Sequence, residues 1–462
     1  MSTQMPHSEP VPPGSASEFR VLFRLSSPVV VAQVGMMLMG VIDTIMIARV
    51  GVLELAAAAI ATTLAWAWGS LGQGVVHGMD PMVSQAHGAG DGDGAALALQ
   101  RGLVIAVLVS IPIAALWIAT GWSLELLGQD PRVADLARTY LLARLPGVLG
   151  YHVYIALRQY LAGRTLTRPA MWVMFMSNAL NIFLNWVLIF GHLGFPPLGL
   201  LGAGIATGIT NVALAVFLAL WIRSFGLHHG AWRRWDRRSF DPSGIVRYVR
   251  LGIPVGIQMW LEANAFSLGM LMVGWLGILE LAAYQVVLNI ASLTFMVPLG
   301  ISIGAATRVG NLIGAGHVSW LDRSCRTALS MGAAVMAFAA ICLVVFREWI
   351  PHIYVDDPAV IALAAALFPI GGLFQIADGV QVVGGGLMRG MGRPRAGAIA
   401  NFIGYYVFGL PLAGLLAFHF ELGPAGVLYG FVGGLGLIAL LLCLWTIRTS
   451  HRPIEELRVA LH

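Results

Sequence analysis

Three acidic residues, Asp43, Glu262 and Asp378, lie deep inside long apolar stretches of this sequence. All other acidic residues lie at or beyond the ends of such stretches. An ionised carboxylate in the hydrocarbon of a bilayer costs at least about 2.5 kcal/mol, so such a group usually faces a cavity and binds something. Because desolvation favours the neutral acid, a carboxyl group placed there can exchange a proton for a cation. The three residues therefore predict a cation or proton site within a membrane.

Amide side chains accompany two of these carboxylates at helical spacing. Gln258 lies four residues before Glu262, and Gln375 and Gln381 lie three residues to either side of Asp378. Residues three or four apart share one face of an α-helix. We therefore expect one polar face on each of these two helices.

A further polar stripe consists of Asn178, Asn181 and Asn185, spaced for one face of an otherwise apolar helix. Thr207 is available on the next helix. Amide, hydroxyl and carboxylate oxygens suit a hard cation such as Na⁺. The alternative is hydrogen bonding between helices, which contributes under about 2 kcal/mol per contact. The residues alone leave both interpretations open.

The elements that must position these side chains are membrane-spanning helices. The 462 residues are 58% hydrophobic and 11% charged, whereas a soluble domain has about 25% charged residues. A span needs about 20 apolar residues. Twelve stretches qualify, near 25–48, 56–79, 102–120, 137–157, 170–190, 202–222, 251–274, 281–305, 327–346, 359–387, 396–418 and 425–447. Transmembrane β-strands are about ten residues long and alternating, so we predict an all-α, polytopic membrane protein with 12 transmembrane helices.

The distribution of basic residues predicts the orientation of the chain. With twelve spans both termini share one side of the membrane, and that side holds 22 of the 27 basic residues, all of them Arg. Positively charged loops stay in the cytoplasm, so both termini are predicted to be cytoplasmic. This topology explains the net charge of +5, and no nucleic-acid partner is expected.

The chain also repeats itself at an offset of 226 residues, which aligns 25–90 with 251–316 without gaps. VGVLELAA in the first copy answers LGILELAA in the second. Six spans per copy predict two parallel repeats, with substrate sites between the halves. Asp43 aligns with Gly269 and Glu262 with Met36, so the charges are not duplicated and the halves have diverged in role.

The predicted organisation follows from the repeat. It is a disordered cytoplasmic tail over 1–20, an N-terminal six-helix lobe over 21–223, a cytoplasmic inter-lobe linker over 224–250, a C-terminal six-helix lobe over 251–447 and a cytoplasmic tail over 448–462. The WRRWDRR run of the linker is typical of an interfacial segment that contacts anionic lipid headgroups.

Helix-breaking and soft apolar residues indicate where the spans could bend and what they could enclose. Pro28 and Pro254 hold equivalent repeat positions and, with Gly384, Gly385 and Gly386, are candidate hinges. Met and Phe side chains suit flat hydrophobic cations, although plain packing is the alternative. Candidate cavity-lining residues are Met36, Met39, Asn178, Gln258, Met259, Phe266, Gln285, Phe374, Gln375 and Gln381.

Other reactive side chains carry weaker predictions. His77 and His152 are candidates for proton relay, with ordinary structural hydrogen bonding as the alternative, and Asp80 beside Pro81 is expected to anchor a loop. The three Cys residues lack CxxC or Cys/His spacing, so we expect neither a disulfide nor a transition-metal site. We expect no cofactor other than a coupling ion.

Four motifs together resemble the multidrug and toxic compound extrusion (MATE) transporters, specifically the NorM-like bacterial branch. The motifs are VIDTIMIARVG around Asp43, Pro254 followed by Glu262, AAYQVVLNI with TRVGNLIGAG within 282–316, and FQIADGVQVVGGGLMRGMGRPR at 374–395. The resemblance covers residues 20–447. It implies a V-shaped, two-lobe fold that exports small organic cations, such as drugs and dyes, across the bacterial inner membrane in exchange for Na⁺ or H⁺.

The resemblance also implies coupling residues in each lobe. Those of the N-terminal lobe are Asp43, Asn181, Asn185, Thr207 and the carbonyl group of Ala203, and those of the C-terminal lobe are Glu262 and Asp378. The coupling ion stays open between Na⁺ and H⁺. We expect a monomer surrounded by the lipid bilayer.

Three other functions were weighed against cation export. A lipid-linked precursor flippase of the same superfamily would be expected to show extra spans and a cationic central cavity, whereas this chain shows carboxylates. A membrane-embedded enzyme is less favoured, because the metalloprotease motif HExxH does not occur in the spans. A channel is less favoured because repeated halves with helix-breaking residues are typical of alternating access.

Overall fold

The structure, a computed structural model, describes residues 15–126 and 128–459, and its regular elements there are helices. The α-helices are α1 Ser15–Ala48, α2 Val52–Val76, α3 Asp80–Gly88, α4 Gly92–Ser123, α5 Pro131–Gly163, α6 Arg168–Phe190, α7 Gly199–Ser224, α8 Pro242–Gly274, α9 Ile278–Ala315, α10 Val318–Val345, α11 Pro358–Gly390, α12 Arg395–Asn401, α13 Leu410–Gly414, α14 Gly423–Ser450 and α15 Ile454–Leu457. Short 3₁₀ turns cover His77–Met79, Arg237–Phe240 and Ile350–Ile353, and π-helical segments cover Phe402–Gly409 and Leu415–His419.

The predicted spans coincide with helices of the described residues. The exceptions are 56–79, which runs from α2 through the turn at His77–Met79, 327–346, which ends one residue beyond α10, and 396–418, which covers the helical run from α12 to the second π segment. Ten of the twelve helical spans are long and apolar enough to cross a membrane. The two others, α5 and α8, have 33 residues each, so they fall short in composition rather than in length. The prediction of an all-α, membrane-spanning fold is confirmed.

Local sequence explains where several long helices begin. In each case an Asp side chain accepts a hydrogen bond from a backbone N–H group of the first turn, which would otherwise have no partner. The four capping residues are Asp91, Asp130, Asp241 and Asp357. Pro131, Pro242 and Pro358 follow three of them, and proline fits the first helical position because its missing N–H costs nothing there.

The sequence repeat is visible in the bounds of the helices. Helix α1 ends at Ala48 and α8 ends at Gly274, while α2 begins at Val52 and α9 begins at Ile278. Both pairs are separated by the 226-residue offset of the alignment. The first copy is interrupted by the turn at His77–Met79, whereas α9, the equivalent helix of the second copy, continues without a break.

Glycines let the two lobes approach closely at one end of the molecule. A Cβ atom added to Gly74 of α2 would lie 2.3 Å from the Cα atom of Gly256 of α8. A Cβ added to Gly314 of α9 would lie 2.0 Å from the carbonyl oxygen of Gln85 of α3. Small residues permit such backbone contact between helices in a membrane, where packing rather than hydrophobic burial drives association.

Both described ends of the chain lie at this joined end. Near the N-terminus, Glu18 forms a two-pronged ion pair with Arg308 of α9, with both N–O distances 2.8 Å. Near the C-terminus, the carbonyl oxygen of Leu457 accepts a hydrogen bond from Gln85 at 3.1 Å. The two described ends of the chain therefore lie on the same side of the molecule, as an even number of spans requires.

Two predicted boundaries differ from the structure. Residues 15–20 of the predicted disordered tail are helical, because the ion pair of Glu18 holds the start of α1 against α9; residues 1–14 lie outside the described part. Helix α8 begins at Pro242, inside the predicted linker. The rest of the linker is docked on the N-terminal lobe, where the Tyr160 hydroxyl donates to the carbonyl of Ala231 at 2.6 Å and Ser239 donates to Gln100 at 2.7 Å.

Candidate functional site

Asp43 is the centre of a buried polar cluster formed by α1, α6 and α7. Asn185 donates from Nδ2 to one carboxylate oxygen at 2.5 Å and to Oδ1 of Asn181 at 3.2 Å. The hydroxyl group of Thr207 lies 3.2 Å from the other carboxylate oxygen and 3.0 Å from the carbonyl oxygen of Ala203. All five residues are buried. The structure therefore brings together the whole set that was assigned to the N-terminal lobe.

The oxygen atoms of this cluster are suitable ligands for a hard cation. The Oδ1 atom of Asn185 is buried without a hydrogen-bond partner, which leaves a free oxygen beside the carboxylate. Asp43 adds carboxylate oxygens, Thr207 adds a hydroxyl oxygen and Ala203 adds a backbone carbonyl oxygen. Hard cations bind to oxygen ligands of these kinds. Asn178, on the same stripe, points elsewhere, since its Nδ2 donates to the carbonyl of Gly35 at 2.8 Å.

Arg144 of α5 is the residue of this region that sequence reasoning missed. Its charge acts on Asp43, and its guanidinium group lies 5.2 Å from the ring centre of Tyr140 and 5.7 Å from that of Trp117. Among the described residues, Asp43 forms no salt bridge, so the carboxylate is influenced by a cation without being locked to it. Sequence reasoning counted Arg144 among the arginines of the side opposite the termini, although it lies seven residues inside the predicted span 137–157.

The second carboxylate site lies within the C-terminal lobe. Gln381 of α11 donates from Nε2 to Glu262 of α8 and to Asp378 of its own helix, both at 3.2 Å. Asn401, at the end of α12, lies 3.4 Å from the other Glu262 oxygen. Asp378, Gln381 and Asn401 are buried, whereas Glu262 is half-buried. Sequence reasoning placed Gln381 here and missed Asn401, whose helix has no polar stripe.

Each carboxylate site is built within one lobe. The hydrogen-bond partners of Asp43 come from α6 and α7, and those of Glu262 and Asp378 come from α11 and α12. Among the described residues, none of these bonds crosses between the lobes. The resemblance predicts coupling residues in each lobe, and their hydrogen bonds lie within single lobes. The substrate site expected between the halves stays a prediction.

The candidate cavity-lining residues fall into two groups. Gln285 is exposed, and Met36, Met259, Asn178 and Phe266 are half-buried. Met39, Gln258, Phe374, Gln375 and Gln381 are buried. In the second group Phe374 packs in an aromatic cluster, with its ring centre 6.2 Å from that of Phe266, which in turn stacks on Phe431 at 5.0 Å.

The candidate hinges lie at packed positions. Pro28 and Pro254 lie inside α1 and α8. Gly384, Gly385 and Gly386 are buried in α11. A Cβ added to Gly385 would lie 2.7 Å from the Gln258 side chain of α8, and one added to Gly386 would lie 2.2 Å from the Ser302 hydroxyl of α9. Close helix packing therefore already accounts for the glycine run, and hinge motion there stays a prediction.

Asp80 does not anchor a loop. It begins α3, is buried, and accepts a hydrogen bond from Gln159 of α5, while His77 lies 3.3 Å away. Arg389 of the other lobe lies 3.9 Å from its carboxylate. The expectation failed because α2 and α3 continue as one helical run through the turn at His77–Met79, which carries Asp80 into the lobe interface. His152 lies apart from both carboxylate sites, bonded to Ser110 at 3.0 Å.

The sequence matches a known family model twice. The model is described as MatE, and it matches residues 28–187 and 254–415. The starts of the two matches differ by the same 226 residues as the internal repeat. One family model, applied once to each lobe, thus covers Asp43, Glu262 and Asp378, whereas Ala203 and Thr207 lie beyond the first match.

Two curated bacterial proteins are similar to the chain over nearly its whole length. Multidrug resistance protein MdtK of Cronobacter sakazakii is 34% identical over 445 residues, which is 95% of this chain and 97% of that protein. Multidrug resistance protein NorM of Aliivibrio fischeri is 32% identical over 454 residues, with the same two coverages of 95% and 97%.

A solved structure shows the same architecture. The crystal structure of a eukaryotic MATE transporter, AtDTX14, aligns with a TM-score of 0.88 at 26% identity, covering 96% of this chain and all of that one. The two-lobe arrangement described above is therefore shared with a transporter of known structure.

Proposed function

Because the chain belongs to the MatE family, whose members are transporters and not enzymes, we propose that it exports small organic cations by antiport with Na⁺ or H⁺. MdtK and NorM are named for multidrug resistance, and drugs and dyes of that kind are the proposed cargo. The coupling ion and the cargo alternate as the lobes switch between two states. Each ligand shifts the balance by the difference between its affinities for the two states.

The observation that carries the proposal is the Asp43 cluster. A buried carboxylate accompanied by a free amide oxygen and a hydroxyl group offers a site to a small cation and to a proton alike. The C-terminal lobe adds a second site at Glu262 and Asp378, which share the Nε2 group of Gln381. Two acidic sites inside a membrane protein are what competition between an ion and a cationic cargo requires.

The membrane and orientation form part of the proposal. The excess of Arg on the side of the termini supports a cytoplasmic location for the joined end of the lobes. The bacterial relatives support the inner membrane. With this orientation the lobes contact each other at the cytoplasmic end, and a monomer contains both sites.

The test is ethidium efflux from proteoliposomes under a Na⁺ gradient and a proton gradient imposed separately. The parent chain should export ethidium under at least one gradient. Asp43→Asn should reduce gradient-driven export at least about tenfold, the equivalent of roughly 1.4 kcal/mol. Glu262→Gln and Asp378→Asn should also reduce it.

The control is Glu348→Gln, which removes an exposed carboxylate (75% accessible side chain) between α10 and α11. It should export like the parent. Parent-like export by all three site variants would overturn the site assignment, and absence of export under either gradient by the parent would overturn the antiport proposal.

A further inference from the structure

The last described segment of the chain packs against both lobes. Ile454 and Leu457 of α15 are 8% and 1% exposed and belong to the hydrophobic core of the C-terminal lobe. Two residues later, Val459 packs against the core of the N-terminal lobe. Six residues thus pass from one lobe to the other at the end where the lobes are joined.

Gln85 of α3 binds this segment with its whole amide group. Its Oε1 accepts from the backbone N–H of Val459 at 2.7 Å, and its Nε2 donates to the carbonyl of Leu457 at 3.1 Å. The same Nε2 lies 3.2 Å from the carbonyl of Gly390, the last residue of α11. Gln85 is 4% exposed. One buried side chain of the N-terminal lobe therefore holds both the C-terminal segment and the C-terminal lobe itself.

The C-terminal lobe is shaped to receive the segment. Gly392 adopts a left-handed conformation with φ of +72°, and a Cβ atom there would lie 2.7 Å from Val459. Arg393 lies 3.6 Å from the carboxylate of Glu456, and Arg452 lies 3.3 Å from it. A side chain at position 392 would be strained and would displace the segment, so the backbone leaves the passage open.

We propose that residues 454–459 form a strap between the lobes that stabilises this closed end and must leave Gln85 whenever the end opens. The role of this strap in a transport cycle rests on the proposed function, and its contacts do not. The three hydrogen bonds of Gln85 join α3 to two different parts of the other lobe, so separating α3 from α11 breaks them together. Gln85 is then a positioning residue, which sets how often the end opens.

The experiment measures the distance between the lobes at the strapped end. Spin labels are placed at Arg168 of α6 and Arg395 of α12, both exposed, in full-length chains lacking the three native Cys residues. Pulsed electron paramagnetic resonance in nanodiscs then gives the distance distribution. Gln85→Ala should raise the population with longer distances several-fold, and removal of residues 451–462 should raise it further.

The matched control is Gln100→Ala. Gln100 is equally buried, but its amide bonds only to Arg233 and Ser239 of the linker, which is docked on its own lobe. Its distribution should equal that of the parent. Leu457→Ser, which loosens the strap without touching Gln85, should reproduce the effect of Gln85→Ala even if the truncated chain fails to fold.

Unchanged distributions in both Gln85→Ala and Leu457→Ser would overturn the strap. The readout does not depend on transport, so the two proposals fail separately. If the parent exports ethidium but neither variant changes the distance distribution, only the strap is refuted. If the parent fails to export but the variants lengthen the distances, only the antiport is refuted.

Discussion

At the scale of single residues, Asp43 is held by neutral partners. Asn185 and Thr207 both donate to it, while the charge of Arg144 acts from α5 without a salt bridge. A carboxylate in a permanent ion pair would be expensive to free, because breaking a buried pair leaves an uncompensated charge. Hydrogen bonds from neutral donors to a charged group contribute about 1.5–3 kcal/mol each, which is less than the roughly 3–5 kcal/mol lost when a buried ion pair is broken.

The Thr207 hydroxyl provides a test of this site. Thr207→Val keeps the shape of the side chain and removes the group beside Asp43 and the Ala203 carbonyl. Loss of one oxygen ligand should raise the half-saturating concentration of Na⁺ about fivefold, the equivalent of roughly 1 kcal/mol. If the coupling ion is H⁺, loss of a donor to the ionised carboxylate should instead lower the half-saturating proton concentration. The measurement is the initial rate of ethidium efflux as a function of ion concentration.

Thr210→Val is the matched control. Thr210 is buried on the same helix, but its hydroxyl donates at 2.8 Å to the carbonyl of Ala206 in its own helix. Its ion dependence should equal that of the parent. Equal shifts in the two variants would assign the effect to α7 in general and remove Thr207 from the site.

At the scale of elements, the joined end depends on backbone contact between helices. Gly74 of α2 and Gly78 of the turn that follows it face Gly256 and Gly252 of α8. A Cβ atom on either Gly74 or Gly78 would lie less than 3 Å from the opposite backbone. Backbone atoms cannot move aside as a flexible side chain can. Glycine at these positions is therefore needed for the close crossing of the two helices. The lobes can therefore close here without interposed side chains.

Gly74→Ala should weaken this contact. The added methyl group overpacks the α2–α8 crossing, which costs about 1–3 kcal/mol, and the midpoint of thermal unfolding should fall. Gly69→Ala on the same helix is the control, because a Cβ there meets nothing within 4 Å. It should leave the midpoint unchanged or raise it, since alanine favours the helix by about 0.5–1 kcal/mol. A midpoint for Gly74→Ala at or above that of Gly69→Ala would contradict the close contact.

At the scale of the whole molecule, two copies of one unit carry different chemistry. The helix bounds repeat at 226 residues, yet Asp43 answers Gly269 and Glu262 answers Met36. The carboxylate of the N-terminal lobe is bonded by Asn and Thr, and the pair in the C-terminal lobe shares one Gln. The symmetry therefore belongs to the scaffold, and the sites are particular to each lobe.

The proposed orientation makes a prediction for the whole chain. Two variants, Glu348→Cys and His451→Cys, are made in a chain without the native Cys residues and are tested in spheroplasts, whose inner membrane is intact. Glu348→Cys should react with a membrane-impermeant maleimide, and His451→Cys should not. Both positions are exposed, so only the side of the membrane separates them. His451→Cys should react once the cells are opened. The reverse pattern in intact cells would refute cytoplasmic termini.

The sequence by itself determined the spans, the repeat and the acidic residues of both sites. These follow from hydropathy and spacing within single helices, which are local properties. The all-α fold follows from the same local signals, whereas the joining of Asp43 with Asn185 and Thr207 was predicted only through the resemblance to MATE transporters. The assignment of the Asn stripe was only partly right, since Asn178 bonds to Gly35 instead.

Only the tertiary structure decided which distant polar groups meet. Asp80 reaches Arg389 of the other lobe, Arg144 acts on Asp43, and Gln85 binds a carbonyl group 372 residues away. Such contacts depend on the rotation and crossing of packed helices, which no spacing along one helix records.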